Sequence, residues 1–211
     1  MFDINIHIDK NSNSAWHFSE KFKAVSVFFG MRMGEGPKFH LVRSNGEKEI
    51  RKYSALTLAS ISLPFSLLSL ELVQLNSYKA LSGYLSGKND LAEKIGITSA
   101  ILHEETQLQE GDGFITMSFI LPNKFDLKNA PRPIDQRIKL HQQPPKMVAC
   151  LAFSGPADEQ KIQKYSTELR EWLSQYSSYK VDQQVKIAEY NSPKTLSFLR
   201  KNEIQIDLKT V

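Results

Sequence analysis

The order of the predicted elements repeats along this chain of 211 residues, and the repetition limits the possible folds more than any other feature. The spacing of apolar residues indicates two strands, a helix and two further strands in each half. The first half is expected to contain a helix from about residue 76 to a cap at Gly87, and extended segments over residues 38–43, 47–63, 97–108 and 114–121. The second half is expected to contain a helix over residues 158–176, and strands over residues 134–140, 147–153, 185–190 and 203–208.

Turn signals and one clear helical stripe support this division. The dipeptide Asn45-Gly46 and the run at residues 111–113 favour hairpins. The apolar stripe of the second helix consists of Ile162, Tyr165, Leu169, Trp172, Leu173 and Tyr176. Two halves of this kind predict an α+β domain whose halves join their sheets with pseudo-twofold symmetry. A barrel or saddle built in this way encloses a cleft between its halves, and small ligands usually bind in such clefts.

We expect the first 36 residues to form a separate N-terminal extension and residues 37–211 to form the main domain. The extension begins with a strict apolar alternation typical of a strand: Phe2, Ile4, Ile6 and Ile8. It continues with apolar residues at helical spacing: Phe18, Phe22, Val25 and Phe29. We interpret this part as a short strand and a docking helix whose apolar face covers the barrel or a sheet edge, in preference to a membrane-surface helix.

Composition excludes several classes of protein. The most apolar early segment, residues 22–33, is shorter than the ~20 residues that a bilayer requires, so no membrane span is expected. The single cysteine, Cys150, excludes an internal disulfide, which together with the absence of a secretory signal predicts a cytoplasmic protein. The net charge of +4 comes from dispersed basic residues, so no nucleic-acid partner is expected. The oligomeric state stays open.

Catalytic and metal-binding motifs are missing from the sequence, so we expect no enzyme. His103 and Glu104 begin a segment that resembles a zinc motif, but the fifth residue is Gln107 where a histidine is required. Cys150 lies in an unbroken apolar run, where a thiol is usually a small core residue. No nucleophile elbow or phosphate-binding loop follows a predicted strand.

Several short blocks, in the same order along the chain, resemble the SOUL family of haem-binding proteins. They lie at residues 30–32, 37–39, 49–53, 83–89, 94–98, 117–122, 131–133, 153–155, 190–193 and 202–204. The resemblance implies a distorted antiparallel β-barrel made of two similar ββαββ halves with two main helices. It also implies non-covalent binding of haem or another flat tetrapyrrole in an apolar cleft beside the first helix, with basic groups near the propionates.

The resemblance also suggests which residues form this site. The slot for the macrocycle would be formed by residues of the first helix that face the turn at residues 190–194, namely Tyr78, Leu81, Ser82 and Leu85, although these could equally be ordinary core contacts. The remaining candidates at the site are Arg51, Lys52, Tyr190 and Lys194. Lys52 stands where some family members carry a histidine that could ligate iron. Because a lysine amine with a pKa near ~10.4 is rarely deprotonated at neutral pH, Lys52 is expected to be a surface charge or a propionate partner.

Two alternative functions stay open beside haem carriage. The first is a small-molecule-sensing or sequestering domain similar to gyrase-inhibitor-like effector domains. The second is a protein-interaction module that uses residues 22–33 as its contact. Titration with haemin separates these hypotheses, because only haem carriage requires a shifted Soret band.

Overall fold

The computed structural model describes residues 36–65, 70–96, 98–107, 113–191 and 195–211. Apart from Gly36, the predicted N-terminal extension lies outside the described residues, and so does Lys194. The helices are α1 (Leu70–Leu85) and α2 (Glu159–Leu173), and a 3-10 turn covers Ser197–Leu199. The strands are β1 (Phe39–Asn45), β2 (Lys48–Tyr53), β3 (Leu56–Phe65), β4 (Ile101–Gln107), β5 (Gly113–Ile120), β6 (Lys139–Gln143), β7 (Lys146–Ser154), β8 (Tyr179–Val181), β9 (Lys186–Glu189) and β10 (Lys201–Thr210).

All of these strands belong to one antiparallel sheet. Its order is β1-β2-β7-β10-β9-β4-β5-β3-β6, and β8 pairs with the end of β10. The first half contributes the order β4-β5-β3 and the second half contributes β9-β10-β7, so the two halves are arranged alike about the central pair of β4 and β9. The predicted α+β fold with two ββαββ halves is therefore confirmed.

Two interrupted strands close the sheet into a distorted barrel. Two residues separate β2 from β3, and the pair Pro144-Pro145 separates β6 from β7. Tyr53 pairs with Lys146 before the interruption, and Leu56 pairs with Gln143 after it, in the same register. Prolines lack the N–H that a ladder needs, which explains the break. The segments β2–β3 and β6–β7 thus act as two long paired strands that join the ends of the sheet.

The helices cover the outer face of the barrel and form two cores. Leu81 and Tyr84 of α1 pack against the outward side chains of β3 and β5, including Ile61 and Met117. The second core contains Leu169, Trp172 and Leu173 of α2 with outward residues of β2, β7 and β10, namely Ile50, Ala149, Leu151, Phe153, Ile204, Ile206 and Leu208. Burial of these side chains, at about 25 cal/mol for each Å² of apolar surface, is the main source of stability.

Several predicted boundaries are wrong. Helix α1 begins at Leu70, six residues before the predicted start, because the leucine-rich run before Asn76 does not separate helix from strand by spacing alone. A strand was predicted over residues 134–140, but β6 covers Lys139–Gln143. The residues before β6 form a loop, in which the carboxylate of Asp135 accepts a hydrogen bond from the backbone N–H of Arg137. The short strand β8 was not predicted.

Three predicted hairpins are confirmed, but the hairpin predicted from the strands at residues 134–140 and 147–153 is wrong, because β6 pairs with β3 while β7 pairs with β2 and β10. Strands β1 and β2 pair on either side of Asn45-Gly46, and Gly46 has a φ of +59°, which glycine adopts without strain. Strands β4 and β5 pair directly in the first half, and β9 pairs with β10 in the second. Neither helix in the described part of the chain is long and apolar enough to cross a bilayer.

Candidate functional site

The inside of the barrel is occupied by a buried ion pair. Side chains alternate along β2 and β10, so Arg51 and Glu203 point away from the helices and into the barrel. Glu203 is only 1% exposed, and each of its carboxylate oxygens lies 2.9 Å from a terminal nitrogen of Arg51. Tyr190 donates a hydrogen bond to the same carboxylate at 2.7 Å, and Gln205 donates another at 3.1 Å. This network satisfies a charge that would otherwise be costly to bury.

The groups around this ion pair are held in their neutral forms. Burial raises the pKa of the Tyr190 hydroxyl, and the adjacent charge of Glu203 raises it further. Burial also raises the pKa of Tyr53, whose hydroxyl accepts a hydrogen bond from Arg51 at 3.1 Å. The same cause raises the pKa of the Cys150 thiol, which is 1% exposed and inert as a nucleophile. The network is suited to structure rather than to proton transfer.

A second charge cluster lies near the end of β10. Asp207 accepts hydrogen bonds from Lys146 at 2.8 Å and from Lys186 at 3.0 Å. Burial opposes ionisation of Asp207, but the two lysines outweigh burial and lower the pKa of the carboxyl. Burial also lowers the pKa of Lys146. Lys186 additionally lies 3.7 Å from Glu104.

These side chains leave little free space between the halves. A water molecule can enter only about 20 Å³ there, in a space whose lining includes Tyr53, Leu102, Tyr190 and Gln205. A single water needs about 10–15 Å³, so the space holds about one. The cleft between the halves that the sequence predicts is therefore filled by side chains, because β2 and β10 point charged residues inward.

A larger space lies outside the barrel, along α1. This space has a volume of about 510 Å³. We call it the α1 groove; it is lined by Asn76, Lys79, Ala80, Tyr84, Lys88, Ile134, Asp135, Arg137 and Ile138. One wall is the helix and the turn that follows it, and the other wall is the loop formed by residues 131–138. Its volume is in the range of about 300–1,000 Å³ that is typical of small-molecule sites.

Hydrogen bonds attach this loop to the end of α1. The hydroxyl of Tyr84 donates to the carbonyl of Pro131 at 2.8 Å, and burial raises the pKa of Tyr84 to about 12, with Asp90 and Glu93 adding to the effect. The backbone N–H of Arg132 donates to Asp90 at 2.7 Å. Asn89 forms an isolated β-bridge with Pro133. The groove therefore has two fixed walls.

The α1 groove combines apolar surface with an excess of positive charge. Ala80, Ile134 and Ile138 supply apolar surface, and Lys79 and Lys88 supply two exposed cations. The guanidinium of Arg137 lies 2.6 Å from the carboxylate of Asp135, and this hydrogen bond lowers the pKa of that carboxyl. Three cations against one anion favour a ligand that carries carboxylates on an apolar body.

The predicted slot residues on α1 have different surroundings. Leu81 and Leu85 are buried in the core beneath the helix, the ordinary core role that the sequence also allowed. Tyr78 is half-buried, and its ring lies edge-on to Phe119 with 5.9 Å between the centroids. Ser82 is half-buried on the same helix. Whether these residues touch a ligand stays a prediction.

The other predicted site residues do not share one surface with the slot. Arg51 and Tyr190 come together at Glu203 inside the barrel. Lys52 is exposed and, by alternation along β2, points to the opposite face from Arg51. The sequence interpretation missed Lys79, Lys88 and Arg137. The proline-rich run at residues 131–133 was the signal that a loop could lie beside the helix.

The described residues contain no cluster suited to a metal ion. No group of three or more histidine, cysteine, aspartate or glutamate side chains is arranged to hold one in that part of the chain. His103 is 9% exposed, and its Nε2 lies 3.3 Å from a carboxylate oxygen of Glu189. Burial opposes ionisation of Glu189, but the neighbouring His103 and Arg200 lower the pKa of its carboxyl.

Solved structures share this fold at low sequence identity. The crystal structure of the EcmrR C-terminal domain has a TM-score of 0.55 at 13% identity, over 78% of this chain and 98% of that chain. The crystal structure of a hydrolase from Listeria innocua has a TM-score of 0.55 at 9% identity, over 80% and 94% of the two chains. A cryo-EM structure of an EcmrR–DNA complex has a TM-score of 0.54 at 11% identity, over 92% of this chain and 63% of that chain.

Comparison of the sequence with protein families identifies the family of the chain. No curated protein matches the chain. The profile of the family described as SOUL heme-binding protein matches residues 34–207, which is most of the chain and includes both halves of the barrel. This match confirms the resemblance found in the short sequence blocks. The chain belongs to the SOUL family of haem-binding proteins.

Proposed function

We propose that this protein binds haem or another tetrapyrrole non-covalently in the α1 groove and catalyses no reaction on it. The observation that carries the proposal is the combination of about 510 Å³ of space, apolar side chains and three basic groups in one groove. Membership of a haem-binding family supports the class of ligand. The filled barrel interior, with room for about one water, supports a site on the outside.

The residues of the groove fit the two chemical parts of a tetrapyrrole. The macrocycle would lie on Ala80, Ile134 and Ile138, and its carboxylates would pair with Lys79 and Lys88. Arg137 can join them, because its guanidinium has five N–H donors and Asp135 uses only part of them. No histidine, cysteine or methionine is among the described lining residues. Apolar burial and charge pairing therefore have to supply the affinity, and the iron itself contributes little.

Comparison of haemin with metal-free protoporphyrin IX tests this mechanism. Both ligands present the same ring and carboxylates, so we expect dissociation constants within about threefold of each other, in the micromolar range. Quenching of the intrinsic fluorescence of the two tryptophans, Trp16 and Trp172, measures both titrations on the same scale. Haemin binding more than about tenfold tighter than binding of the metal-free ring would show that a side chain ligates the iron and would contradict the mechanism.

Substitutions in the groove test the location. Ala80→Trp fills the groove and is expected to weaken haemin binding, followed by the Soret absorption, by at least about tenfold. Lys180→Trp, at the exposed middle residue of strand β8, adds the same side chain elsewhere and should leave haemin binding unchanged. The double variant Lys79→Glu/Lys88→Glu should bind haemin more weakly than the wild-type chain, and the difference between the two should shrink as salt is added. If Tyr78→Ala abolishes binding while Ala80→Trp does not, the ligand occupies the slot predicted from the sequence instead.

The hypothesis of a small-molecule-sensing domain has weaker support. The similarity to the EcmrR C-terminal domain, at 13% identity, shows a shared fold and nothing about ligands. The space between the halves that is lined by Tyr53, Leu102 and Gln205 admits water to only about 20 Å³, which is too little for an organic ligand. Lipophilic cations are therefore expected to give no binding heat in isothermal titration calorimetry.

A further inference from the structure

Strand β1 is an exposed edge of the sheet with apolar side chains on it. All seven residues of β1 are exposed. Phe39, Leu41 and Val42 are 41%, 54% and 47% exposed. The strand is last in the sheet order and pairs with β2 on one side, and no other strand within the described ranges pairs with its second side. Long apolar edges of this kind attract another strand, and proteins normally cover them.

The chain itself carries a segment of matching length and pattern. Residues 2–8 alternate strictly between apolar and polar, and they number seven, as β1 does. About thirty residues separate the two segments, and they include the helical stripe at residues 18–29. A connection that contains a helix is the usual way to join parallel neighbouring strands. The family profile begins at residue 34, so this segment precedes the family domain and ends beside β1.

We propose that the N-terminal segment docks on β1, with residues 2–8 forming a strand parallel to its free edge. The apolar stripe at residues 18–29 then covers Phe39 and Leu41. The ring centroid of Phe39 lies 4.7 Å from Cζ of Arg51, so the docked segment lies next to the Arg51–Glu203 ion pair.

Charge and tethering favour this occupant over a second copy of the chain. The predicted strand contains Asp3 and is followed by Asp9, whereas β1 carries His40 and Arg43 and no acidic residue. The covalent link makes the docking intramolecular, so the local concentration of the segment at β1 does not depend on the concentration of the protein. A second protein molecule at micromolar concentration does not compete with it.

Hydrogen exchange of the full chain tests the docking. The β1 amides that are not bonded to β2 should exchange at least about 100-fold more slowly than in an unfolded peptide. In the variant Ile4→Asp/Ile6→Asp, the same β1 amides should exchange at rates within about tenfold of those of an unfolded peptide. The control Asn5→Asp/His7→Asp adds the same charges on the other face of the strand and should keep the protection. Unprotected β1 amides in the wild-type chain overturn the proposal, and so does protection that survives in the first variant.

Disulfide trapping identifies the occupant. Leu41→Cys is combined in turn with Phe2→Cys, Ile4→Cys, Ile6→Cys and Ile8→Cys, while the native Cys150 is buried and does not interfere. At least one pair should form a disulfide within a single chain, seen as a faster non-reduced band of monomer mass. Disulfides only between chains would assign the edge to a second copy, and no disulfide in any pair would place the segment elsewhere. Either result overturns the proposal.

Discussion

Glu203 carries a charge in a place where the chain could have placed an apolar residue. Its neighbours along β10, Ile204 and Ile206, face the α2 core, but the alternation of the strand turns Glu203 into the barrel. Four hydrogen bonds from Arg51, Tyr190 and Gln205 compensate the loss of water. The ion pair fixes β2 to β10 in the interior, although the two strands are not neighbours in the sheet.

Removing one charge of this pair is expected to be costly. Glu203→Gln removes the carboxylate that accepts two hydrogen bonds from the buried guanidinium of Arg51 and leaves Glu49 as its remaining counter-ion, so the free energy of unfolding should fall by about 1–3 kcal/mol in urea denaturation. The control Glu171→Gln, on the exposed face of α2, should change it by less than about 0.5 kcal/mol. Replacing both partners by methionine should recover part of the loss. A change below about 1 kcal/mol for Glu203→Gln would mean that water reaches Arg51.

Asp207 gives the stability of the protein a dependence on pH. Its pKa is lowered in the folded state, so its contribution is present above the unfolded pKa of about 3.9 and is lost as pH falls through the lower folded value. The difference in unfolding free energy between the wild-type protein and Asp207→Asn should therefore be about 2 kcal/mol at pH 7 and shrink as the pH falls from about 4 to 2. A difference that grows in acid would contradict this sign.

Individual residues show what a single sequence cannot provide. Alternation correctly placed Ile204, Ile206 and Leu208 on one face of the last strand. Pairing partners such as Arg51 and Glu203 are 152 positions apart, and no local pattern connects them. The sequence interpretation therefore assigned Arg51 to the ligand, whereas the structure places its guanidinium on Glu203.

Element boundaries are predicted well where neighbouring residues determine them and poorly where contacts with distant parts of the chain do. The second helix was predicted over residues 158–176, and α2 spans Glu159–Leu173 with Asp158 as its N-cap. Its capping residue and apolar stripe are local signals. Helix α1 starts earlier than predicted because its early leucines, such as the 49% exposed Leu72, do not form a one-sided stripe. Strand β6 begins five residues after the predicted start at residue 134, because the loop before it is attached to the end of α1 by hydrogen bonds.

The N-cap of α2 provides a test at this scale. The carboxylate of Asp158 accepts a hydrogen bond from the backbone N–H of Lys161 at 2.9 Å. Asp158→Ala is expected to lower the free energy of unfolding by about 1 kcal/mol, while Asp158→Asn keeps an acceptor and should change it by only a few tenths. Thermal unfolding by circular dichroism measures both variants. Equal losses for the two variants would show that the charge, and not the cap, matters.

The described residues form a duplicated fold whose two halves join through the pairing of β4 with β9, and water can enter only about 20 Å³ of the space between them. The repeated element order was sufficient to predict the architecture, because each half has its own local patterns. The site was harder to predict, since the α1 groove depends on a loop from the second half lying along a helix of the first. Within the described residues, the larger of the two spaces lies along α1 outside the barrel, and the Arg51–Glu203 ion pair lies inside it.

Paramagnetic broadening by haemin tests this location most directly. The ferric iron of bound haemin broadens the amide NMR signals of nearby residues, and metal-free protoporphyrin IX serves as the control that shifts signals without broadening them. The account predicts that signals from residues 76–88 and 134–138 are lost first. Broadening centred on Tyr53, Leu102 and Gln205, which line the small interior space, would contradict it.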